Sequence, residues 1–414
     1  MKTIIQNISQ LIQVREEKID AIVGLEMKEL PIIENAFVEI EDGIIVNYGP
    51  MSDIHGVDYA NTTKVINAKG KIVMPTWVDS HTHVVFAGSR EKEFVDKING
   101  LSYEDIAKNG GGILNSAKKL HDTSEFELFE QASVRIEEIM GMGTGAVEIK
   151  SGYGLSVQDE VKMLRVIKLL KDKYPVTIKS TFLGAHAIPT AYKENRAGYI
   201  NCIIEDMIPL IAKEGLAEYV DVFCDRGFFT PNETDQILKA GAKYGLIPKI
   251  HANELDYSGG IQIGVENNAL SVDHLEFTGD EEIKVLMESE TMPTLMPSTA
   301  FFLGLEYPPA RKMIEAGLPV ALASDYNPGS SPSGKMAFTV SLACIKLKMT
   351  PEEAINAATM NSAYAMGVQN ELGSITKGKK ANLIITKPLS SYARIPYSFG
   401  SDLVDKVLIN GKII

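Results

Sequence analysis

The sequence predicts an α/β fold: a (β/α)8 TIM-type barrel with a small β-sandwich domain formed from both chain termini. Three observations predict it. From about residue 70 onward, eight short apolar or β-branched runs alternate with longer segments of helical spacing, the pattern of a parallel sheet. The chain is 414 residues long, which suits a barrel of roughly 250 residues plus a satellite. Both chain ends carry hairpin signals. The expected division is a composite β domain over 1–70 and 368–414, with the barrel over 71–367.

In chain order, AFVEIEDGIIVNYGP reads as two short strands about a DG turn. The barrel strands follow at 71–83, 145–154, 177–186 and 219–225, then at 246–254, 269–276, 291–297 and 319–327. Between them lie helices with recognisable ends. The helix from 156 opens on a Ser cap with an acidic first turn and closes in lysines. The helix from 350 starts with Thr350, Pro351 and Glu353, a capping box with proline at its first position. The C-terminal KANLIITKP and VDKVLINGKII, with an NG turn, match the N-terminal hairpin in character. A hairpin is marginal alone, so the two ends are expected to pair.

Composition removes several function classes. An apolar fraction of 45% with 23% charged residues provides a sizeable core and gives no sign of disorder. The net charge of −13 disfavours nucleic acid and anionic membranes, which reward a basic face. It also requires a placed cation for any anionic substrate. Cys202, Cys224 and Cys344 form no CxxC pair, so neither a disulfide framework nor a thiolate zinc cluster is expected. No stretch approaches the roughly 18 apolar residues of a membrane span. Gln and Asn break the N-terminal apolar run, unlike a secretory leader. The expectation is a cytoplasmic chain.

The histidines carry the chemistry. Of seven, five fall at or near the C-terminal ends of strand candidates: His81, His83, His186, His251 and His274. Barrel enzymes place their catalytic groups at that end. His55 and His121 lie outside the pattern and read as solvated. His81 and His83, two apart on a strand, point to the same face. An HxH pair is by itself often just a polar strand face. Here Asp79 and both histidines interrupt what should be an apolar strand, and a metal satisfies several buried polar groups at once. His251 supplies a third nitrogen and Asp325, after the apolar run PVALAS, a carboxylate. Three histidines and an aspartate leave one position open, as in catalytic zinc sites. The fourth strand, YVDVFCD, holds no lysine to bridge two metals, and Lys150 on the second reads as a salt bridge or packing. One metal ion is expected.

With those residues in place the chain resembles the amidohydrolase superfamily in its mononuclear branch. FAGSREKEF (86–94), NGGGI (109–113), EIKSGYGL (148–155), FLGAHAIP (182–189), VDHLE (272–276) and SDYNPGSSP (324–332) look like signatures of the imidazolonepropionase family. The resemblance implies that His81, His83, His251 and Asp325 bind zinc or iron. It implies that Arg90, Tyr153, His186, Glu254, Asn327, Gly329 and Ser330 hold the substrate. It also implies a cytoplasmic homodimer. The chain departs from the family pattern at Thr76, Trp77 and Ser80, beside the ligands, and at Asn253.

The implied reaction is hydrolysis of the cyclic amide C–N bond of 4-imidazolone-5-propanoate to N-formimidoyl-L-glutamate, in histidine degradation. Its carboxylate suits a bidentate clamp by Arg90, although the run REKEF also reads as a charged helix surface. Tyr153 offers a ring and a hydroxyl. The NPGSS turn offers backbone N–H groups, or is an ordinary loop after a strand. The metal would turn water into hydroxide; His274 would polarise the carbonyl or assist proton movement. Asp325 would take the water's proton and Glu254 relay it to the leaving nitrogen. Two competing readings share the fold. A deaminase of a nucleobase or amino-heterocycle would keep the metal residues without needing Arg90. A non-enzymatic scaffold would be expected to lose metal ligands, and none is missing.

Overall fold

The computed structural model describes residues 2–56, 62–101 and 111–414. Five strands lead the chain: β1 (Lys2–Ile12), β2 (Ile32–Glu41), β3 (Ile44–Pro50), β4 (Thr62–Asn67) and β5 (Ile72–Pro75). Four more follow: β6 (Trp77–Thr82), β7 (Thr144–Lys150), β8 (Thr177–Ala185) and β9 (Tyr219–Cys224). Then come β10 (Ile247–Ala252), β11 (Ser271–His274), β12 (Met292–Leu295) and β13 (Ala321–Leu322). The chain closes with β14 (Leu383–Thr386), β15 (Val404–Ile409) and β16 (Lys412–Ile413).

Strands β6 to β13 pair in sequence order, all parallel, with helices between them: the barrel. The first and last strands meet only near their C-terminal ends. There the Asp325 N–H donates to the His81 carbonyl at 3.0 Å and the His83 N–H to the Tyr326 carbonyl at 2.9 Å. Asp79 reinforces the seam, accepting from the Ser324 N–H at 2.9 Å and its hydroxyl at 2.5 Å. The seam therefore joins two candidate ligand segments directly.

The chain ends form a second sheet of eight strands, ordered β16-β15-β14-β5-β1-β2-β3 with β4 beside β1. Its two hairpin turns abut. Asp42 and Gly43, and likewise Asn410 and Gly411, have positive φ. A β-carbon on Gly43 would stand 2.8 Å from the Asn410 carbonyl oxygen, so the turn admits only glycine.

The run expected as one barrel strand over 71–83 is two strands in two sheets. Pro75 ends β5, which lies between β14 and β1. The Thr76 N–H donates to the Asn382 carbonyl of the terminal sheet at 3.0 Å, and the Trp77 N–H to the Gly143 carbonyl beside the barrel at 2.9 Å. Proline gives no ladder hydrogen bond, so the chain changes sheets where one bond is missing anyway.

Helix ends follow their caps. Ser124, Thr230 and Thr350 complete capping boxes, and Ser156 accepts from the Asp159 N–H to open Val157–Lys173. The segment after Thr350 is helical to Ala365 with a π turn at Ala357–Asn361. The main apolar cluster joins barrel and helices, and a second lies on the terminal sheet. Among the described residues no helix is long and apolar enough to cross a membrane.

Candidate active site

The barrel brings the five strand-end histidines together, all buried. The Nε2 atoms of His81 and His83 are 3.3 Å apart, and that of His251 is 3.4 Å from His83 Nε2. Asp325 Oδ1 lies 3.5 Å from His81 Nε2 and 3.7 Å from His83 Nε2. The opposite nitrogen of each ring meets an acceptor. His81 Nδ1 is 2.6 Å from Asp273 Oδ2, His251 Nδ1 is 3.0 Å from Asp221 Oδ1, and His83 Nδ1 is 3.3 Å from the Ser151 carbonyl. Those acceptors place the proton on Nδ1, so three Nε2 lone pairs face one another with a carboxylate oxygen beside them.

Such a cluster repels itself without a cation. Bonds of about 2.0–2.1 Å at near-tetrahedral angles put ligand atoms about 3.4 Å apart, close to the spacing here, and water would then come in as a fifth ligand, a coordination number zinc can reach. His81, His83 and Asp325, and likewise His81, His251 and His274, have ligand atoms within 4.8 Å of one another. The residues fit a metal ion.

Asp325 is held for that purpose. Its Oδ2 accepts from the Thr299 hydroxyl at 2.7 Å and from the Ser330 hydroxyl at 3.2 Å, leaving Oδ1 toward the imidazoles. Its backbone is left-handed, with φ 52°, and His274 is at φ 87°. Two non-glycine residues in that region at one site indicate strain held by the surroundings.

Around the cluster, burial and the neighbouring histidines push His83 and His274 well below the ordinary imidazole range, and His186 down to about 3. These rings are neutral. His186 stacks on His83 with centroids 5.3 Å apart and bonds the Gly152 carbonyl through Nδ1 at 2.9 Å. The Tyr153 ring stands 5.8 Å from His83 and 5.4 Å from His186. Glu254 Oε2 is 3.7 Å from His274 Nδ1. Burial, then Asp325 and Asp225, push the Glu254 carboxyl well above the usual carboxylate range, which favours its protonated form. Among the described residues His274 Nδ1 and both carboxylate oxygens of Glu276 find no hydrogen-bond partner, and His274 Nδ1 lies 4.0 Å from Glu276 Oε2.

One expectation needs correction. The Gly329 and Ser330 N–H groups are not offered outward: both donate to Asn327 Oδ1 at 2.8 Å, because an Asn two residues back closes its own turn. Arg90 is engaged along one edge. Its Nε and Nη2 bond Glu93 at 2.8 and 2.7 Å, one turn along the helix it precedes. The two N–H groups of Nη1 and the second of Nη2 form the other edge, with Nη1 close against Gly329. In the NGGGI motif, Asn109 and Gly110 lie outside the described residues.

The sequence profile of the amidohydrolase family matches residues 72–414. An imidazolonepropionase of Flavobacterium johnsoniae is 60% identical over 414 residues, covering 100% of both chains. One from Geobacillus thermodenitrificans is 43% identical over 412 residues, covering 99% of this chain and 97% of the other. The chain belongs to the imidazolonepropionases of the amidohydrolase family. Solved amidohydrolase-like structures share its fold at low identity. Guanine deaminase of E. coli superposes with TM-score 0.75 at 15% identity, covering 100% and 99% of the two chains. An adenosine deaminase of Xanthomonas campestris with bound zinc gives 0.72 at 16%, covering 99% and 92%.

In this imidazolonepropionase site the sequence reading missed the layer below the ligands. Asp221 and Asp273 orient His251 and His81, and Lys150 bonds Asp221 at 2.6 Å. The signal was present: Glu148, Lys150, Asp221, Lys249 and Asp273 all interrupt apolar strands, as Asp79 does. Lys150 is the buried ion-pair residue its bland reading expected.

Proposed function

We propose that the protein hydrolyses the cyclic amide C–N bond of 4-imidazolone-5-propanoate to N-formimidoyl-L-glutamate, a step of histidine degradation, using one zinc or iron ion held by His81, His83, His251 and Asp325. The observation that carries the reading is the cluster in which His81 and His83 Nε2 face Asp325 Oδ1 at 3.5 and 3.7 Å and His251 Nε2 lies 3.4 Å from His83 Nε2, with the Glu254 carboxyl beside His274. A metal ion held there supplies Lewis acidity that makes water a nucleophile near neutral pH.

The chain's own groups do the rest. Asp325, its Oδ2 fixed by Thr299 and Ser330, accepts the proton of the attacking water through Oδ1. His274, a neutral imidazole, donates to the ring carbonyl as negative charge develops on it. Glu254 delivers a proton to the departing ring nitrogen. Arg90 meets the propionate through its Nη1/Nη2 edge, which Glu93 leaves open, with the turn of Asn327, Gly329 and Ser330 alongside. Tyr153 and His186 wall the ring. The deaminase reading needs no cation for a substrate carboxylate. The protein acts as a cytoplasmic homodimer, as the family resemblance implies.

The test compares substrates on purified, metal-loaded protein. Imidazolone propionate should be consumed, with no ammonia released from guanine or cytosine. Deamination of either base in place of imidazolone turnover would favour the competing reading.

A further inference from the structure

Under the imidazoles lie five fully buried charged side chains: Glu148, Lys150, Asp221, Lys249 and Asp273. Ions so buried persist only when paired, and removing one partner is costly. Three carboxylates against two ammonium groups leave this layer one negative charge in excess, a sign suited to a cation above it.

The two lysines are not equivalent. Lys150, closing β7, reaches across the barrel interior to β9 and β11. Its Nζ is 2.7 Å from Glu148 Oε1, 2.6 Å from Asp221 Oδ2 and 3.4 Å from Asp273 Oδ2. Asp221 turns its other oxygen to His251, accepting from Nδ1 at 3.0 Å and from the backbone N–H at 3.1 Å. Asp273 Oδ2 accepts from His81 Nδ1 at 2.6 Å, and its Oδ1 from the Ser271 hydroxyl at 2.6 Å. Lys249 instead bonds Glu148 and the carbonyls of Ser80 at 3.3 Å and Ala365 at 3.0 Å. One ammonium thus anchors both carboxylates that orient ligand imidazoles on two strands, β6 and β10.

We propose that Lys150 is a positioning residue of the metal centre: it pins Asp221 and Asp273 together, and through them fixes the ring orientation and Nδ1–H tautomer of His251 and His81. This rests on the metal reading above. The aim of two imidazoles is coupled through a single group that touches neither. Partners of that rank are worth about 10- to 100-fold in metal affinity in other sites. Lys249 matches Lys150 in burial and charge and acts on Asp273 through its charge, but its close contacts are with Glu148 and two carbonyls, so it serves as the control that separates direct contact from buried charge.

The experiment measures Zn²⁺ affinity by competition with a chromogenic chelator, starting from metal-stripped full-length protein. Lys150→Met should bind Zn²⁺ about 10- to 100-fold more weakly. When saturated with metal it should show a lowered kcat with KM for the substrate unchanged. Lys249→Met should melt at a lower temperature yet bind Zn²⁺ as tightly as the parent. If Lys150→Met does not fold, the charge-balanced Glu148→Gln/Lys150→Met variant should show the same loss of affinity. Parental Zn²⁺ affinity in either Lys150 variant overturns the proposal, as does an equal loss in Lys249→Met, which would assign the effect to burial alone. Failure of the parent itself to bind Zn²⁺ or Fe²⁺ would instead remove the metal reading.

Discussion

Gly329 and the Arg90 guanidinium are packed so closely that a β-carbon on residue 329 would stand 2.1 Å from Arg90 Nη1. The chain between Asp325 and Ser330 therefore bears on the cation as well as on the candidate ligand. Arg90 also carries the Glu93 carboxylate, which lies below the usual carboxylate range because the hydrogen bonds from Arg90 and Asn115 outweigh burial.

Gly329→Ala should displace Nη1 without unfolding the protein, since an arginine tip can move at the expense of its Glu93 pair. KM should rise by about tenfold, equivalent to about 1.4 kcal/mol, with kcat little changed. Arg90→Ala should raise KM further. Steady-state kinetics check both, and an unchanged KM in Arg90→Ala would take the carboxylate clamp away from this residue.

His274 and His251 should separate chemistry from metal binding. His274→Ala is expected to retain the ion and lose turnover by about 10²- to 10⁴-fold, the range of a general acid–base or electrophilic group. His251→Ala is expected to lose the ion itself. Elemental analysis beside kinetics reads both outcomes; full turnover in His274→Ala would contradict its role.

Lys379 gives a prediction away from the site. Burial first, then Lys18 and Arg15, lower its ammonium to about 8 from an ordinary 10.5, and it donates to the Leu372 carbonyl at 2.9 Å. Between those two values the unfolded chain holds a proton that the folded chain has released. Stability contributed by this group therefore rises as pH climbs from about 8, by at most about 3 kcal/mol. Urea unfolding of the parent and Lys379→Met at a series of pH values should show the parent gaining on the variant above pH 8. Parallel curves would contradict the assignment.

Much of this architecture is legible in the sequence, for a simple reason. Polar residues inside apolar strands stand out, and period two puts His81 and His83 on one face. The alternation of runs gives the eight parallel strands, and the DG and NG turns give the hairpins. What the sequence hides is partnership. Asp221 and Asp273 look alike as strand interruptions, and only the closed barrel shows that both answer to Lys150. Nothing local tells that Asn327 closes on the N–H groups of Gly329 and Ser330 or that Glu93 occupies one edge of Arg90. The break at Pro75 is hidden because the residues on either side are equally apolar, while their backbone partners lie far along the chain at Asn382 and Gly143.

The proposed site holds one ion among His81, His83, His251 and Asp325, and turnover depends on it. Anomalous diffraction at the zinc or iron edge, on crystals of enzyme active toward imidazolone propionate, tests it most directly. One peak per chain is expected, about 2.0–2.1 Å from the three Nε2 atoms and bonded by Asp325. A fully active crystal with no peak there, or with its only peak bound by other residues, would contradict it.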